Sequence, residues 1–105
     1  MCKKEVFRAA LSAVAAETEI PEECILSRCK RREVVDARYM LVAALLDAGL
    51  YANEIARLTR LTGRAVEVIS SNFDRRRAQS GRIFDVMYQR ISSSVRVSAH
   101  SLMSC

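Results

Sequence analysis

The stretch Asn53-Glu-Ile-Ala-Arg-Leu-Thr-Arg-Leu-Thr-Gly-Arg-Ala-Val-Glu-Val-Ile69 decides the fold, because its apolar residues are spaced as in two short helices joined by a tight turn. Ala56 is small, as two closely crossing helices require, and Arg60 falls in the turn. The residues spaced to pack between the two helices are Ile55, Leu61, Val66 and Ile69. The stretch predicts a helix-turn-helix over residues 52–79, whose second helix has an exposed amino end that can enter the major groove of double-stranded DNA.

The second helix of this motif carries the candidate base contacts. Its outward-facing residues are expected to be Thr62, Gly63, Arg64, Glu67, Val68 and Ser71. Arg64 is the best candidate for a guanine contact, because a guanidinium matches the edge of guanine with two hydrogen bonds. Glu67 either accepts a hydrogen bond from cytosine or orients Arg64, or else it is simply an acidic residue favoured by the helix dipole. Arg75, Arg76 and Arg77 are expected to contact phosphates or to form a solvated face.

The turn departs from the usual form of the motif, since glycine is common where this chain has Arg60. Thr62 is placed to cap the second helix. An ordinary helical hairpin within a bundle is the alternative interpretation of the stretch. The local positive charges of Arg57, Arg60 and Arg64 favour DNA binding.

Away from the motif, apolar periodicity and end signals predict four further helices. They are expected at residues 3–17, 21–26, 32–48 and 82–92, around the two motif helices at 52–59 and 63–79. The helix at 32–48 has the widest apolar face, so we expect it at the centre of the core with Leu41 and Leu45 buried. The sequence thus predicts an all-α fold, a compact five- to six-helix domain over residues 1–92, followed by a flexible Ser-rich tail at 93–105.

The composition supports a small helical domain. The chain has 105 residues, of which 50% are hydrophobic and 28% charged, with only three glycines and one proline. These values exclude a disordered segment, and the scarcity of turn residues argues against a sandwich or barrel of many short strands. No apolar run approaches the roughly 18 residues that a membrane span requires, so we expect no membrane partner.

Positive charge is concentrated in one part of the chain. Residues 1–27 carry three basic and five acidic side chains, a net charge of −2, whereas residues 28–105 carry fourteen basic and seven acidic ones, a net charge of +7. Four of the cations form a basic loop ahead of the central helix: Arg28, Lys30, Arg31 and Arg32. Such a concentration predicts a polyanionic partner, here double-stranded DNA; a solvated face of the protein would have the same composition.

The sequence offers little for catalysis or metal binding. Its thiols and its single imidazole are scattered: Cys2, Cys24, Cys29, Cys105 and His100. We therefore expect no metal site, no cofactor, no small-molecule substrate and no enzymatic activity. Free thiols predict a reducing, cytoplasmic location. Residues 1–16 also imitate a secretory signal, but Glu5 and Arg8 interrupt its apolar region.

Three stretches of the chain carry a family resemblance. They are Val14-Ala-Ala-Glu-Thr-Glu-Ile-Pro-Glu-Glu-Cys-Ile-Leu26, Ser27-Arg-Cys-Lys-Arg-Arg-Glu-Val-Val-Asp-Ala-Arg-Tyr-Met40 and Asn53-Glu-Ile-Ala56. Together they resemble the C-terminal DNA-binding domain of the bacterial replication initiator DnaA over residues 14–72. The stretches are similar to that domain's opening helices, to its basic loop with the start of its long helix, and to the start of its helix-turn-helix.

The resemblance implies how DNA would be bound. In that family the basic loop reaches the minor groove and the second motif helix reads the major groove. By this resemblance the four cations of the basic loop are expected to approach the minor groove or its phosphates, and Arg38 is expected near the DNA backbone.

The recognition helix differs from the family pattern. The family has an Arg-Asp-His-Thr-Thr-Val run where this chain has Leu61-Thr-Gly-Arg-Ala-Val66, so those base contacts do not carry over. The phosphate-binding pattern G-x-x-x-x-G-K-[ST] is also missing from the sequence. We therefore expect a stand-alone relative without the ATPase, in a small regulatory or mobile-element protein.

The main alternative is a helical protein–protein interaction module that has lost DNA binding. The altered recognition helix favours it, as does the amphipathic helix at 82–92, which could pack against a protein partner or a second copy in a homodimer. The two interpretations differ in whether the basic loop and Arg64 form one positive face.

Overall fold

The computed structural model describes the backbone of residues 3–104 and the side chains of residues 3–97. Within this part of the chain there are six α-helices and no β-strand. The helices are α1 (Lys3–Thr18), α2 (Glu22–Ile25), α3 (Arg32–Asp47), α4 (Ala52–Thr59), α5 (Gly63–Ser80) and α6 (Arg82–Ser104). The all-α prediction is confirmed, and the ends of the first five helices agree with the predicted ones to within one residue. No helix of the described residues is long and apolar enough to cross a membrane.

The central helix is α3, which contacts each of the other five helices. Leu41 and Leu45 are fully buried on it, as its wide apolar face predicts. The same core receives Val14 from α1, Ile55 from α4 and Ile91 from α6, all of which are also fully buried. One hydrophobic core therefore holds all the elements, and the helix-turn-helix is anchored to α3.

The turn after α3 directs the chain into the helix-turn-helix. Gly49 has a φ of 99°, in the left-handed region that glycine tolerates best. Its N–H donates to the carbonyl of Leu46 at 3.0 Å, and the N–H of Leu50 donates to the carbonyl of Leu45 at 3.1 Å. These bonds satisfy the last carbonyls of α3, and the reversal lets α4 begin at Ala52.

The last helix is longer than the sequence predicts. The helix end expected near residue 92 is wrong, because α6 continues without a break to Ser104. Ser92 is buried and its hydroxyl donates to Asp47 at 3.2 Å, while Val95 is only 2% exposed. A serine in the helix and a valine on the core face thus extend the packing of α6 past the predicted boundary.

Candidate nucleic-acid interface

The predicted helix-turn-helix is formed by α4, a turn at residues 60–62 and α5. Ile55 and Val66 are fully buried between the helices and Ile69 is nearly so. Ala56 and Leu61 are partly buried and pack against the same core. The packing inferred from the spacing of the apolar residues is therefore confirmed.

Two threonines fix the turn between these helices. Thr59 is buried, and its hydroxyl donates to the carbonyl of Ile55 at 2.6 Å while accepting from the N–H of Leu61 at 3.4 Å. Thr62 caps α5 as predicted, because its hydroxyl oxygen accepts from the N–H of Ala65 at 3.0 Å. The start of α5 is therefore held in a fixed orientation.

Arg60 has a left-handed backbone conformation, with φ 62° and ψ 19°. This geometry is the one for which the motif commonly uses glycine, and it is costly for a side chain with a β-carbon. The side chain is exposed. The turn thus carries a positive charge on a strained position.

The outward face of α5 is the one predicted. Every member of the predicted set is exposed: Thr62, Gly63, Arg64, Glu67, Val68 and Ser71. The space beside Gly63 is open, with no atom within 4 Å of where a β-carbon would stand. Arg64 and Glu67 are three residues apart, so they lie on neighbouring turns of one helix face. The structure therefore leaves the amino end of α5 free to approach a ligand.

The basic loop runs between α2 and α3. Arg28, Lys30 and Arg31 are exposed in it, and Arg32 is exposed at the first position of α3. Ser27 shapes the start of the loop: its hydroxyl donates to the carbonyl of Cys24 at 2.6 Å and accepts from the N–H of Cys29 at 3.2 Å. The loop therefore presents its cations to solvent from an ordered backbone.

Arg38 differs from these four cations, because its guanidinium is used inside the protein. It donates from Nε to the carbonyl of Ile25 at 3.0 Å, and from one terminal nitrogen to the carbonyls of Ser27, at 2.5 Å, and Cys29, at 3.2 Å. Partial burial lowers the pKa of this guanidinium from its ordinary value, and the nearby Cys29 opposes the shift. Arg38, expected near the DNA backbone, thus binds the backbone of the protein's own loop.

The end of α2, just before the loop, packs near the turn of the helix-turn-helix. A narrow crevice is lined by Ile25 and Leu26 before the loop, by Arg38 and Leu41 of α3, and by Thr59 and Leu61 at the turn. Arg38, which bonds to the carbonyls of Ser27 and Cys29, therefore also packs beside the residues where α4 ends.

The described ion pairs are formed by cations other than those of the basic loop, of α4, of the turn and of the amino end of α5. Among the described side chains, the cations that form them are Lys3, Arg76, Arg77, Arg90 and Arg96. No acidic side chain among residues 3–97 pairs with the cations of the loop, of α4, of the turn and of the first turn of α5, which are Arg28, Lys30, Arg31, Arg32, Arg57, Arg60 and Arg64. The charges of the candidate interface are thus left available to a polyanion.

The arginines at the far end of α5 correct one expectation. Arg76 pairs with Asp36 of α3 at 2.5 Å and lies over the ring of Tyr39, 4.8 Å from its centroid. Arg77 pairs with Asp85 of α6. These two residues tie α5 to its neighbouring helices and do not form the predicted phosphate-binding or solvated face. Arg75 is exposed.

A contact that the sequence did not predict supports the start of α4. The ammonium of Lys3 in α1 pairs with the carboxylate of Glu54, which also accepts from the N–H of Tyr51 at 2.9 Å. The hydrogen bond from Lys3, followed by that from Tyr51, lowers the pKa of the Glu54 carboxyl from its ordinary value. Glu54 at the third helical position is a capping signal readable from the sequence, whereas its pairing with Lys3 joins residues too distant for any spacing rule.

The described thiols are those of Cys24 and Cys29, both free. Among residues 3–97, no group of three or more His, Cys, Asp or Glu side chains is placed to hold a metal ion. The side chains of Cys2, His100 and Cys105 lie outside the described residues.

Comparisons of the chain with protein-family models, with curated proteins and with solved structures find no match.

Proposed function

We propose that this protein binds double-stranded DNA, with the amino end of α5 in the major groove and the basic loop at the minor groove or its phosphates. The observation that carries this proposal is the distribution of positive charge. The cations of the loop and the turn are exposed and have no acidic partner among the described residues, whereas the described ion pairs are formed by cations of α1, of the far end of α5 and of α6. Exposed cations of this kind bind DNA by neutralising phosphates and releasing condensed counterions.

The two elements have different roles in the proposal. Arg64 reads guanine, with Glu67 either orienting it or accepting from cytosine. Val68 is 44% exposed and offers an apolar contact of the kind that a thymine methyl group accepts. Arg60 and the cations of the loop supply phosphate contacts, which position the protein without reading sequence.

The proposal includes a distant relationship to the DnaA C-terminal domain. Its support is the order of the elements: short opening helices, a basic loop, a long central helix and a helix-turn-helix. On this view the chain is the DNA-binding part of a small regulatory or mobile-element protein, with a recognition helix of its own.

The experiment is a fluorescence-anisotropy titration of mixed-sequence duplex DNA at several salt concentrations. The test variant replaces Arg28, Lys30 and Arg31 of the loop with glutamine. Each lost phosphate contact lowers the slope of log affinity against log salt by about one unit, so we expect the triple variant to lose up to about three units.

A matched control removes the same charge from α6. It replaces Arg82, Arg90 and Arg96 with glutamine, and all three are exposed. Affinity and slope should stay close to those of the wild type, since the ion pairs of Arg90 and Arg96 are surface pairs of small energy. Equal losses in both variants, or no loss in the loop variant, would contradict the proposed interface.

A second candidate function, an interaction module, is favoured by α6. One face of this helix carries three exposed large apolar side chains, those of Ile83, Val86 and Val97. They share this face because their spacings are close to whole turns of an α-helix. The same patch holds Arg90 and Glu17, 3.7 Å apart, so it carries both signs of charge. A patch with both signs can pair with itself about a two-fold axis, so the partner in this proposal is a second copy of the chain.

Sedimentation velocity over a hundredfold range of protein concentration tests this candidate. Self-association through α6 predicts a dimer at high concentration that Ile83→Glu reduces to monomer. A wild-type protein that stays monomeric over the whole range would remove the candidate and leave DNA binding unaffected.

A further inference from the structure

We infer that Arg38 is a positioning residue, which fixes the basic loop against the turn of the helix-turn-helix and does not itself hold DNA. The effect of Arg38 on DNA binding rests on the proposed function. The effect of Arg38 on the conformation of the basic loop does not, because it concerns the protein without DNA.

The first step of the argument is the fit between one guanidinium and three carbonyls. The carbonyls of Ile25, Ser27 and Cys29 all accept from Arg38, over distances of 2.5–3.2 Å. Three of the five N–H bonds of the side chain are thereby used. The guanidinium of arginine is planar and holds its N–H donors in fixed directions. It can therefore bond to the carbonyls of three alternate residues, which the compact ammonium group of lysine cannot do.

The second step is that few other hydrogen bonds hold the loop in place. Ser27 bonds to the carbonyl of Cys24 and receives the N–H of Cys29, and the carbonyl of Arg31 accepts from Val35 in α3. Among the described residues, Arg38 is the side chain beyond the loop that donates hydrogen bonds to the loop carbonyls. Its removal would therefore free the segment that presents Arg28, Lys30 and Arg31 to solvent.

The third step connects the loop to the helix-turn-helix. The side chain of Arg38 lines the same crevice as Thr59 and Leu61, where α4 ends and the turn begins. Partial burial of the guanidinium there replaces water with protein carbonyls. One side chain thus bonds to the loop and packs against the end of α4 at the same time.

The binding experiment compares conservative and neutral substitutions at two arginines. A phosphate contact is largely kept by lysine and lost by glutamine. The role of a positioning residue is lost when either lysine or glutamine replaces it. We therefore expect Arg38→Lys and Arg38→Gln to weaken binding to mixed-sequence duplex DNA alike, by about tenfold, whereas at Arg31 the two should differ: Arg31→Gln lowers the salt slope by about one unit and Arg31→Lys lowers it by less.

A second measurement needs no DNA. Amide hydrogen exchange of Ser27 and Cys29, whose N–H groups donate to Cys24 and to Ser27 Oγ, should be at least tenfold faster in Arg38→Lys than in wild type, and unchanged in Arg31→Lys. Slow exchange at the core of α3 in the same sample shows that the variant is folded.

The outcomes separate the two claims. Wild-type exchange in the loop of Arg38→Lys would overturn the positioning role, as would wild-type affinity of that variant for DNA. Fast exchange in the loop of a protein that binds no DNA would support the structural role of Arg38 and contradict the proposed function instead.

Discussion

Arg60 shows how a single residue can combine strain with charge. Its left-handed conformation costs roughly 1–2 kcal/mol for a residue with a β-carbon. Glycine would avoid this cost but would remove a cation from the turn between α4 and α5. The arginine is therefore better explained by a contact with a ligand than by the stability of the turn.

Replacing this arginine with glycine should separate the two effects. Arg60→Gly relieves the strain, offset in part by the greater entropy of glycine in the unfolded chain, so the free energy of unfolding should rise by about 0.5 kcal/mol. The same variant should lose about one unit of the salt slope for duplex DNA. Urea denaturation and fluorescence anisotropy measure the two quantities.

Arg57→Gly is the control, because Arg57 is an exposed residue inside α4. Glycine in a helix interior should lower the free energy of unfolding by about 1 kcal/mol. A loss of stability in Arg60→Gly equal to that in Arg57→Gly would contradict the account of the turn.

Side chains near the interface also show the limit of sequence reasoning at this scale. The exposure of Arg64 and Glu67 follows from helical periodicity, which needs only local spacing. The role of Arg38 depends on carbonyls up to thirteen residues away and on the conformation of an irregular loop. The pairing of Arg76 with Asp36 likewise joins residues forty apart. No local pattern encodes such contacts.

Among the elements, α4 and α5 were the most predictable and α6 the least. Thr62 is a capping residue and Gly49 is a helix stop, so the sequence marks the ends around the helix-turn-helix. The pair Ser93-Ser94 looks like the start of a tail, yet α6 continues through it and Val95 enters the core. Tertiary contacts therefore override the weak helix propensity of serine.

The side chains at the amino end of α5 predict which DNA sequences the protein prefers. Gly63 and Ala65 have no side chain that can form a hydrogen bond, so under the proposed function base contacts fall to Arg64, with Glu67 and Thr62. Each good two-bond contact to a base is worth about 1–3 kcal/mol of discrimination. We therefore expect no preference for the DnaA box over a scrambled duplex of equal length, and a preference for a short guanine-containing site that Arg64→Ala abolishes.

A competition assay with the two duplexes, run on the wild type and on Arg64→Ala, measures both expectations. Gln79→Ala is a suitable control, since Gln79 is exposed at the far end of α5, away from the candidate base contacts. A tenfold preference for the box would refute this assignment of α5. An unchanged sequence preference in Arg64→Ala would remove Arg64 as the reader.

At the scale of the whole molecule, the core centred on α3 supports every other element. Leu41 is fully buried there, so Leu41→Ala should lower the free energy of unfolding by about 2–5 kcal/mol. Ile83→Ala removes a side chain that is 71% exposed, so it should change the free energy of unfolding by no more than about 0.5 kcal/mol. Urea denaturation followed by circular dichroism measures both, and similar losses would contradict the assignment of the core.

The distribution of charge over the whole molecule was partly readable from the sequence. The net charge of +7 over residues 28–105 predicted a polyanionic partner. It did not predict that α5 divides into two parts, with Arg64 free of described acidic partners and Arg76 and Arg77 bound to neighbouring helices. That division arises from the packing of α5 against α3 and α6.

The central claim is that DNA lies across the basic loop and the amino end of α5. Amide chemical-shift mapping of the labelled protein, with and without a mixed-sequence duplex, tests it most directly. We predict the largest shifts at residues 28–32 and 60–71, with α6 unaffected. Shifts confined to α6, or no shifts at a duplex concentration well above that of the protein, would contradict the claim.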